Sequence, residues 1–364
     1  MKNIYLIRHG QPDFADGKRI CLSSTDLPLS TLGRLQAVLL ERYFEEKADS
    51  LTVFHSGMQR THRTAEAISR SAKPVPELRE LGVGDWEGLS FKEIRQRWPE
   101  LYDQRGKTPF ACVMPNGETP AECQQRGLAA LRTLIEQTDG DIALVAHAGI
   151  NRLILCALTG AEPDTFLTIP QPYGCVNHLI WDGRTIEVKN IGTVPHPVLD
   201  ETACLSLLAA AGTPEPVRQH CRAVAAKAME LAERIVHSDS APDKNRMLAA
   251  ALLHDIARVE PQHPIVGATW LEGLGYPDIA EVIACHHDLS EAEEAQISEK
   301  TLLYLADKYL RGTTPVTLAQ RFTTSKEKVF TPEARQAHAR RYAQAQRVEA
   351  LFLRHTESKR GEPS

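Results

Sequence analysis

The stretch Asn3-Ile4-Tyr5-Leu6-Ile7-Arg8-His9-Gly10 decides how the first half of this chain is read. Its β-branched and aromatic lead-in has the make-up of a buried strand. An arginine and a histidine follow directly, so they fall at the strand's carboxyl end, where open α/β sheets gather their ligands. The planar fork of arginine suits a phosphate or carboxylate, which it can hold through two hydrogen bonds. A histidine beside it can act as nucleophile or proton carrier near neutral pH. Alone, Arg8-His9-Gly10 is a short motif, and a single histidine after a strand is more often structural than catalytic.

Two later runs repeat the pattern. Leu51-Thr52-Val53-Phe54 leads into His55-Ser56-Gly57-Met58-Gln59-Arg60, and Thr61 to Ile68 reads as the helix that follows. Ile142-Ala143-Leu144-Val145-Ala146 ends in His147-Ala148-Gly149 before another helical stretch. Three strands ending in basic or imidazole residues, each followed by a turn or helix, would line one anion pocket along the edge of a parallel sheet.

At this point residues 1 to about 195 resemble the histidine phosphatase superfamily, in the branch related to phosphoglycerate mutase. The resemblance rests on Arg8-His9-Gly10-Gln11, on Asp26-Leu27-Pro28-Leu29-Ser30 with Gly33 and Gln36-Ala37, and on the Arg60 segment. It continues through Leu78-Arg79-Glu80-Leu81-Gly82-Val83-Gly84-Asp85-Trp86-Glu87-Gly88, Asn116-Gly117-Glu118-Thr119 and His147-Ala148-Gly149. It implies a three-layer α/β sandwich with a mostly parallel sheet, working without a metal or other cofactor. His9 would attack phosphorus and carry it as phosphohistidine. Arg8, Arg60 and His147 would bind the equatorial oxygens, and Glu80 would protonate the leaving alkoxide. Gln11 and Ala148 are expected as further substrate contacts, while His55, His62 and His178 have no matched role. These are the parts that phosphoryl transfer asks for, since its catalysis is mainly positioning and preorganised positive charge. Ser56-Gly57-Met58 and Ala148-Gly149 depart slightly from the family's usual Ser-Pro-Leu and Gly-Gly, and Pro12-Asp13-Phe14 departs further, which bears on substrate identity.

The chain has 364 residues, enough for about two domains of roughly 150 residues. Its net charge of −5 and the lack of a basic stretch give no sign of a nucleic-acid groove, and no apolar run is long enough for a bilayer. Met1-Lys2-Asn3 runs straight into the first strand, and the eight cysteines show no close Cys-x-x-Cys pair, so a cytoplasmic protein with reduced thiols is expected. Val176 to Trp181 and Thr185 to Val188 read as late strands around an Asp182-Gly183 turn, and Pro195-His196-Pro197 breaks the chain. The expected division is 1–198 for the first domain and 203–355 for a helical second one. Thr331-Pro332-Glu333 is a good helix start, and residues 356–364 are expected to be a disordered tail.

In the second half, His254-Asp255 stands on an apolar helix, Ala250 to Arg258, although burying either group unpaired is costly. His220 shares a stripe with Val224, Leu231 and Ile235, and Asp307 closes the apolar helix Leu302 to Ala306. Inward histidines and carboxylates from separate helices suggest a metal centre in a bundle. This half, roughly 205 to 312, resembles the HD-domain metal-dependent phosphohydrolases, with His220, His254, Asp255 and Asp307 as the defining set. His263 and His286 or His287 would then supply a second ion, one of the last two pointing away if both lie on a helix. Iron or manganese suits the mixed donors best, with zinc, nickel and cobalt as alternatives. Arg258, one turn after the His-Asp pair, is expected to hold substrate phosphate.

Together these features predict a bifunctional phosphohydrolase acting on a small phosphorylated metabolite or nucleotide. Its first domain would be a phosphatase similar to α-ribazole phosphatases, and its second a metal-dependent phosphohydrolase or phosphodiesterase. Two alternatives stand beside it: a phosphatase regulated by a nucleotide-sensing, non-catalytic second domain, and a mutase of the phosphoglycerate mutase kind.

Overall fold

The computed structural model describes residues 1–14, 17–235, 242–327 and 330–357, so the expected tail lies, from 358 onward, outside the described residues. The chain forms two compact units, Met1–Pro197 and Val198–Ser364.

In the first unit the strands and helices alternate: β1 (Lys2–Arg8), α1 (Thr31–Phe44), β2 (Leu51–His55), α2 (Gln59–Ile68) and β3 (Lys73–Pro74) come first. Then follow α3 (Phe91–Arg97), α4 (Pro99–Lys107), α5 (Pro120–Gln137), β4 (Asp141–Ala146), α6 (Ala148–Thr159), β5 (Val176–Trp181) and β6 (Ile186–Thr193). The sheet order is β3-β2-β4-β1-β5-β6. The first four strands are parallel, and the hairpin β5–β6 closes one side antiparallel.

Successive side chains of a strand point to opposite faces, so a strand covered on both sides reads as a continuous apolar run. That is why β1 and β4 carry no alternation. Ile4, Leu6, Ile142 and Leu144 pack with Leu131 of α5 and Ile150 and Leu153 of α6. Tyr5, Ile7, Ala143 and Val145 pack on the other face with Leu40 and Phe44 of α1 and Ala65 and Ile68 of α2. The result is a three-layer sandwich with a mostly parallel sheet.

Helix starts follow local chemistry. Ser30 caps α1 by accepting from Gly33, and Ser90 with Glu93 and Thr119 with Glu122 form reciprocal capping boxes at α3 and α5. Gly160, in the left-handed region at φ +67°, ends α6. In register, Arg8 lies beside Ala146, so His9 and His147 leave neighbouring strands side by side at the carboxyl edge.

The second unit is helical: α7 (Glu201–Ala210), α8 (Glu215–Arg234), α9 (Lys244–Leu253), α10 (His263–Gly273), α11 (Pro277–Ala284), α12 (Glu291–Glu294), α13 (Glu299–Lys308), α14 (Leu318–Lys326) and α15 (Pro332–Glu357). A two-residue hairpin, β7 (Leu310–Arg311) and β8 (Thr314–Pro315), turns through Gly312. Two local expectations need correction. Helix α9 stops at Leu253, so His254 and Asp255 sit in the turn that follows rather than on the helix itself. Helix α11 stops at Ala284, so His286 and His287 lie in a bend. Among the described residues no helix is long and apolar enough to cross a membrane.

Candidate active site and metal centre

The carboxyl edge of the first unit's sheet opens on a cavity of about 350 Å³, lined by Arg8, His9, Arg60, Glu80, His147 and Ala148 among others. His9 Nδ1 lies 2.6 Å from the carbonyl oxygen of Gly10. A carbonyl only accepts, so Nδ1 carries the proton and Nε2 keeps its lone pair. Burial, and then the charges of Arg8 and Arg60, hold the His9 imidazole well below the ordinary histidine value. The ring is therefore neutral at physiological pH. His147 is held down in the same way, by burial and then by His9, Arg60 and Arg8.

The two guanidiniums are braced from outside the pocket. Arg60 is 1% exposed and donates to the carbonyls of Thr25 and Ser23, each at 2.8 Å. Those carbonyls belong to a loop that Glu87 shapes by accepting the N–H groups of Ser23, Ser24 and Thr25. Arg8 donates to the Gln171 carbonyl and lies 3.6 Å above the Tyr173 ring. Gln171 is held by buried Asn151 and Asn177, the latter also donating to the Leu6 carbonyl at 2.7 Å. His147 Nε2 is 2.7 Å from Ser56 Oγ, while its Nδ1 and the Nε atoms of both arginines are buried without a protein partner.

Glu80 reaches across from its own loop to the start of α6. It accepts the N–H groups of Gly149 and Ile150 at 3.0 Å and of Leu81 at 2.9 Å. A carboxylate is favourably placed at a helix N-terminus. Its loop is clamped by Arg126, which donates to the carbonyls of Glu77 and Arg79 and is paired with Glu118 at 2.7 Å. Glu118 thus holds Arg126 rather than sitting in a free polar turn.

Arg8, His9, Arg60, Glu80, His147 and Ala148 come together on one cavity, and Gln11 does not join them. The Gln11 N–H donates to Gln36 and its carbonyl accepts from Ser30, so its backbone clasps the start of α1. His55 stacks on His62, and His178 stacks on Tyr5 and bonds Asn3, away from the cavity. Sequence reading missed Tyr173, Gln171, Asn177 and the lining arginines Arg19, Arg105 and Arg152. Nothing local marks the amides, whose role arises only from tertiary placement.

In the second unit, the ligand-type atoms of His220, His254 and Asp255 lie within 4.8 Å of one another, as do those of His263, His286 and His287. The bend after α11 lets both His286 and His287 reach His263, with ring centroids 5.6 and 4.8 Å from it. The expectation that one would point away is corrected by the helix ending first. Asp307 joins through His220 Nε2, 3.1 Å from its Oδ1.

A test of fit comes from the hydrogen bonds. His220, His254 and His286 each donate Nδ1–H to a backbone carbonyl, of Gly312, Ala251 and Ile283 respectively. That pattern leaves Nε2 of His254 and His286 as lone-pair donors, as metal-binding histidines require, while His220 Nε2 meets the Asp307 carboxylate, which holds this ring above the ordinary histidine value against its burial. His254 Nε2, His286 Nε2 and Asp255 Oδ1 are buried with no hydrogen-bond partner. His263 Nε2 accepts from Arg258 at 3.1 Å, yet faces Asp255 Oδ1 at 3.0 Å. The Arg258 guanidinium, 3.6 Å from the same Asp255 oxygen, is the cation beside both. Burial lowers His254 to about 4 and His287 to about 3, so both rings are neutral, the state in which imidazole can bind a metal. Asp255 lies well below the usual carboxylate range, since His254, His286 and Arg258 outweigh its burial. These residues fit a divalent metal.

Buried Lys308, unnoticed in the sequence, donates to Asp307 at 2.8 Å and to the His286 carbonyl at 3.3 Å. Arg258 is exposed and stands 3.6 Å from Asp255.

Comparison with known proteins agrees with this geometry. Residues 4–193 match the histidine phosphatase superfamily (branch 1), and residues 217–312 match the HD domain family. A Hydrogenobacter thermophilus protein provisionally named phosphoserine phosphatase 2 is 30% identical over 200 residues, covering 54% of this chain and 98% of that one. The human 6-phosphofructo-2-kinase/fructose-2,6-bisphosphatase 1 is 27% identical over 186 residues, 48% of this chain but only 38% of that protein. The solved structure of Bacillus stearothermophilus YhfR superposes with a TM-score of 0.50 at 28% identity, over 53% of this chain and 98% of that one. The chain belongs to branch 1 of the histidine phosphatase superfamily and carries an HD domain behind its phosphatase domain.

Proposed function

We propose that the chain is a bifunctional phosphohydrolase whose first unit works through phosphohistidine and whose second unit works with divalent metal. In the first, His9 Nε2 attacks the phosphorus of a small monoester while the bond to the leaving oxygen breaks. Arg8 and Arg60 hold the equatorial oxygens, and His147 presents its unpartnered Nδ1 toward them, a donor once the bound phosphate's negative charge brings the ring a second proton. Glu80 gives a proton to the leaving alkoxide, then takes one from the water that attacks phosphohistidine. The observation that carries this reading is the Nδ1–H to Gly10 carbonyl bond, which leaves a neutral ring with Nε2 as its nucleophile.

Quenching the enzyme in alkali during turnover of p-nitrophenyl phosphate tests it. A phosphoenzyme labile to acid, absent in His9→Ala, is expected. Turnover retained in His9→Ala would rule it out. A mutase reading would instead show a requirement for a bisphosphate primer.

Two features bear on the substrate. Apolar walls from Phe14, Trp86, Phe91 and Phe166 favour a monoester with a bulky apolar alcohol, α-ribazole phosphate among them. Against this, Arg19, Arg105 and Arg152 also line the cavity, without a carboxylate partner among the described residues. They favour an alcohol bearing a second acid. Comparing kcat/KM for α-ribazole phosphate and phosphoserine separates the two.

For the second unit, His220, His254, Asp255 and Asp307 would hold one ion, and His263, His286 and His287 another. Iron or manganese suits the donors best. Bound metal supplies Lewis acidity toward phosphate oxygens, and Arg258 would steady the phosphate. A natural sequence of events is hydrolysis here exposing a monoester for the first unit. Manganese-dependent hydrolysis of bis(p-nitrophenyl) phosphate, lost in Asp255→Ala, is expected. Its absence under every metal, with nucleotides altering the phosphatase rate, would turn this unit into a sensor.

A further inference from the structure

The cavity beside the two ligand clusters measures about 520 Å³, within the range of about 300–1,000 Å³ usual for organic ligands. Part of its wall comes from α14 and α15, which lie beyond the HD family match at 217–312. Apart from Asp255 and Asp307, every charged side chain lining it is cationic: Arg258, Lys308, Arg321 and Arg341. Lys308 is neutralised by Asp307, and Arg341 is paired two-pronged with Asp288 at 2.7 and 2.6 Å. Arg258 leans on Asp255. Arg321 has no carboxylate partner among the described residues.

The wall that carries Arg321 is anchored. Its neighbour Phe322 is buried, stacks on Tyr342 of α15 with centroids 4.8 Å apart, and meets the His338 ring edge-on. Ser325 Oγ lies 2.7 Å from His338 Nε2. Helix α15 is in turn tied to the segment just after His287, by Arg341 to Asp288 and by Gln344 to both backbone groups of Leu289. The unpaired guanidinium is thus held on the same cavity as the ligand clusters. A lone phosphate would be served by the clusters and Arg258, with nothing left for Arg321 to bind.

We propose that this cavity takes a phosphorylated ligand with a second, separate anionic group, one anion at the His/Asp clusters and the other at Arg321 beside Ser325 and His338. The inference rests on the metal-dependent phosphohydrolase reading and names its substrate class. The fork of Arg321 suits a phosphate or carboxylate through paired charge-assisted hydrogen bonds.

Calorimetric binding to the full-length protein tests it, with manganese and with chelator. The first unit contributes to both conditions, so the manganese-dependent component reports on the second. The probes are inorganic phosphate, propyl phosphate, propylene bisphosphate and hexylene bisphosphate. At least one bisphosphate is expected to bind about tenfold tighter than propyl phosphate in the manganese-dependent component. Arg321→Ala is expected to erase that margin, Arg321→Lys to keep part of it, and inorganic phosphate to stay within about twofold in both. No margin for either bisphosphate, or a margin indifferent to Arg321→Ala, overturns the proposal while leaving the metal centre intact. Inorganic phosphate without a manganese-dependent component, in wild type as in Asp255→Ala, overturns the metal-centre reading and this inference with it.

Discussion

Glu80 occupies the space that Gly149 leaves by having no side chain: a Cβ at position 149 would stand 2.6 Å from Glu80 Oε1. The same glycine donates its N–H to the other carboxylate oxygen at 3.0 Å. The glycine here serves approach rather than an unusual backbone angle.

Gly149→Ala should therefore displace the carboxylate without touching His9 or the arginines. A general acid contributes about 10²–10⁴ in rate, and part of that is expected to be lost. The loss should be large for alkyl phosphates and small for p-nitrophenyl phosphate, whose leaving group needs no proton. Equal losses on both substrates would mean that Glu80 does not act on the leaving group.

The neutral state of His9 gives a pH prediction. Burial comes first, then Arg8 and Arg60, and all three lower its pKa. Attack needs the neutral ring, so kcat/KM should persist as pH falls through about 6.5, the ordinary histidine value. Removing one cation takes away a lowering influence. In Arg60→Met the acid limb should move up toward neutrality, alongside a rate loss of about 10²–10³. A limb that stays put or moves down would refute the assignment.

Asn177 supports Arg8 at one remove, through Gln171. Asn177→Leu would leave buried Gln171 and the Leu6 carbonyl short of partners, at a stability cost of about 1–3 kcal/mol. KM should rise about tenfold with the slackened guanidinium, and the effect should vanish when Arg8 is already alanine. Additive losses in the Arg8→Ala, Asn177→Leu double variant would show that Asn177 acts elsewhere.

The unpartnered His254 Nε2, His286 Nε2 and Asp255 Oδ1 predict a metal effect on folding. Manganese should raise the unfolding temperature of the second unit by several degrees, and chelator should reverse it. Asp255→Asn should blunt the rise, and phosphohistidine turnover should be indifferent to all three treatments. A melting curve unmoved by any divalent ion would count against the ligand set.

Much of the fold was legible because its central strands are mainly apolar and give way abruptly to Arg8-His9, to His55 ahead of Arg60, or to His147. That pattern survives any detail of packing. The candidate HD cluster was legible for a related reason: His254-Asp255 and His286-His287 interrupt apolar runs where a polar pair would otherwise be costly. What escaped was where α9 and α11 stop, since Leu253 and Ala284 are good helix formers with no glycine or proline at hand. The braces also escaped. Gln171, Asn177 and Tyr173 are neutral residues whose use depends on a chain fold of more than a hundred and fifty residues bringing Arg8 to them.

The side-by-side exit of His9 and His147 has a consequence for how this protein can change. Because the β1–β4 register sets their spacing, a single-residue insertion in either strand would turn one imidazole to the opposite face of the sheet. Segments joining the opposite ends of the strands carry no such restriction. Length variation among descendants of this sequence should accordingly collect at the amino-terminal edge of the sheet, with β1 and β4 keeping their residue count.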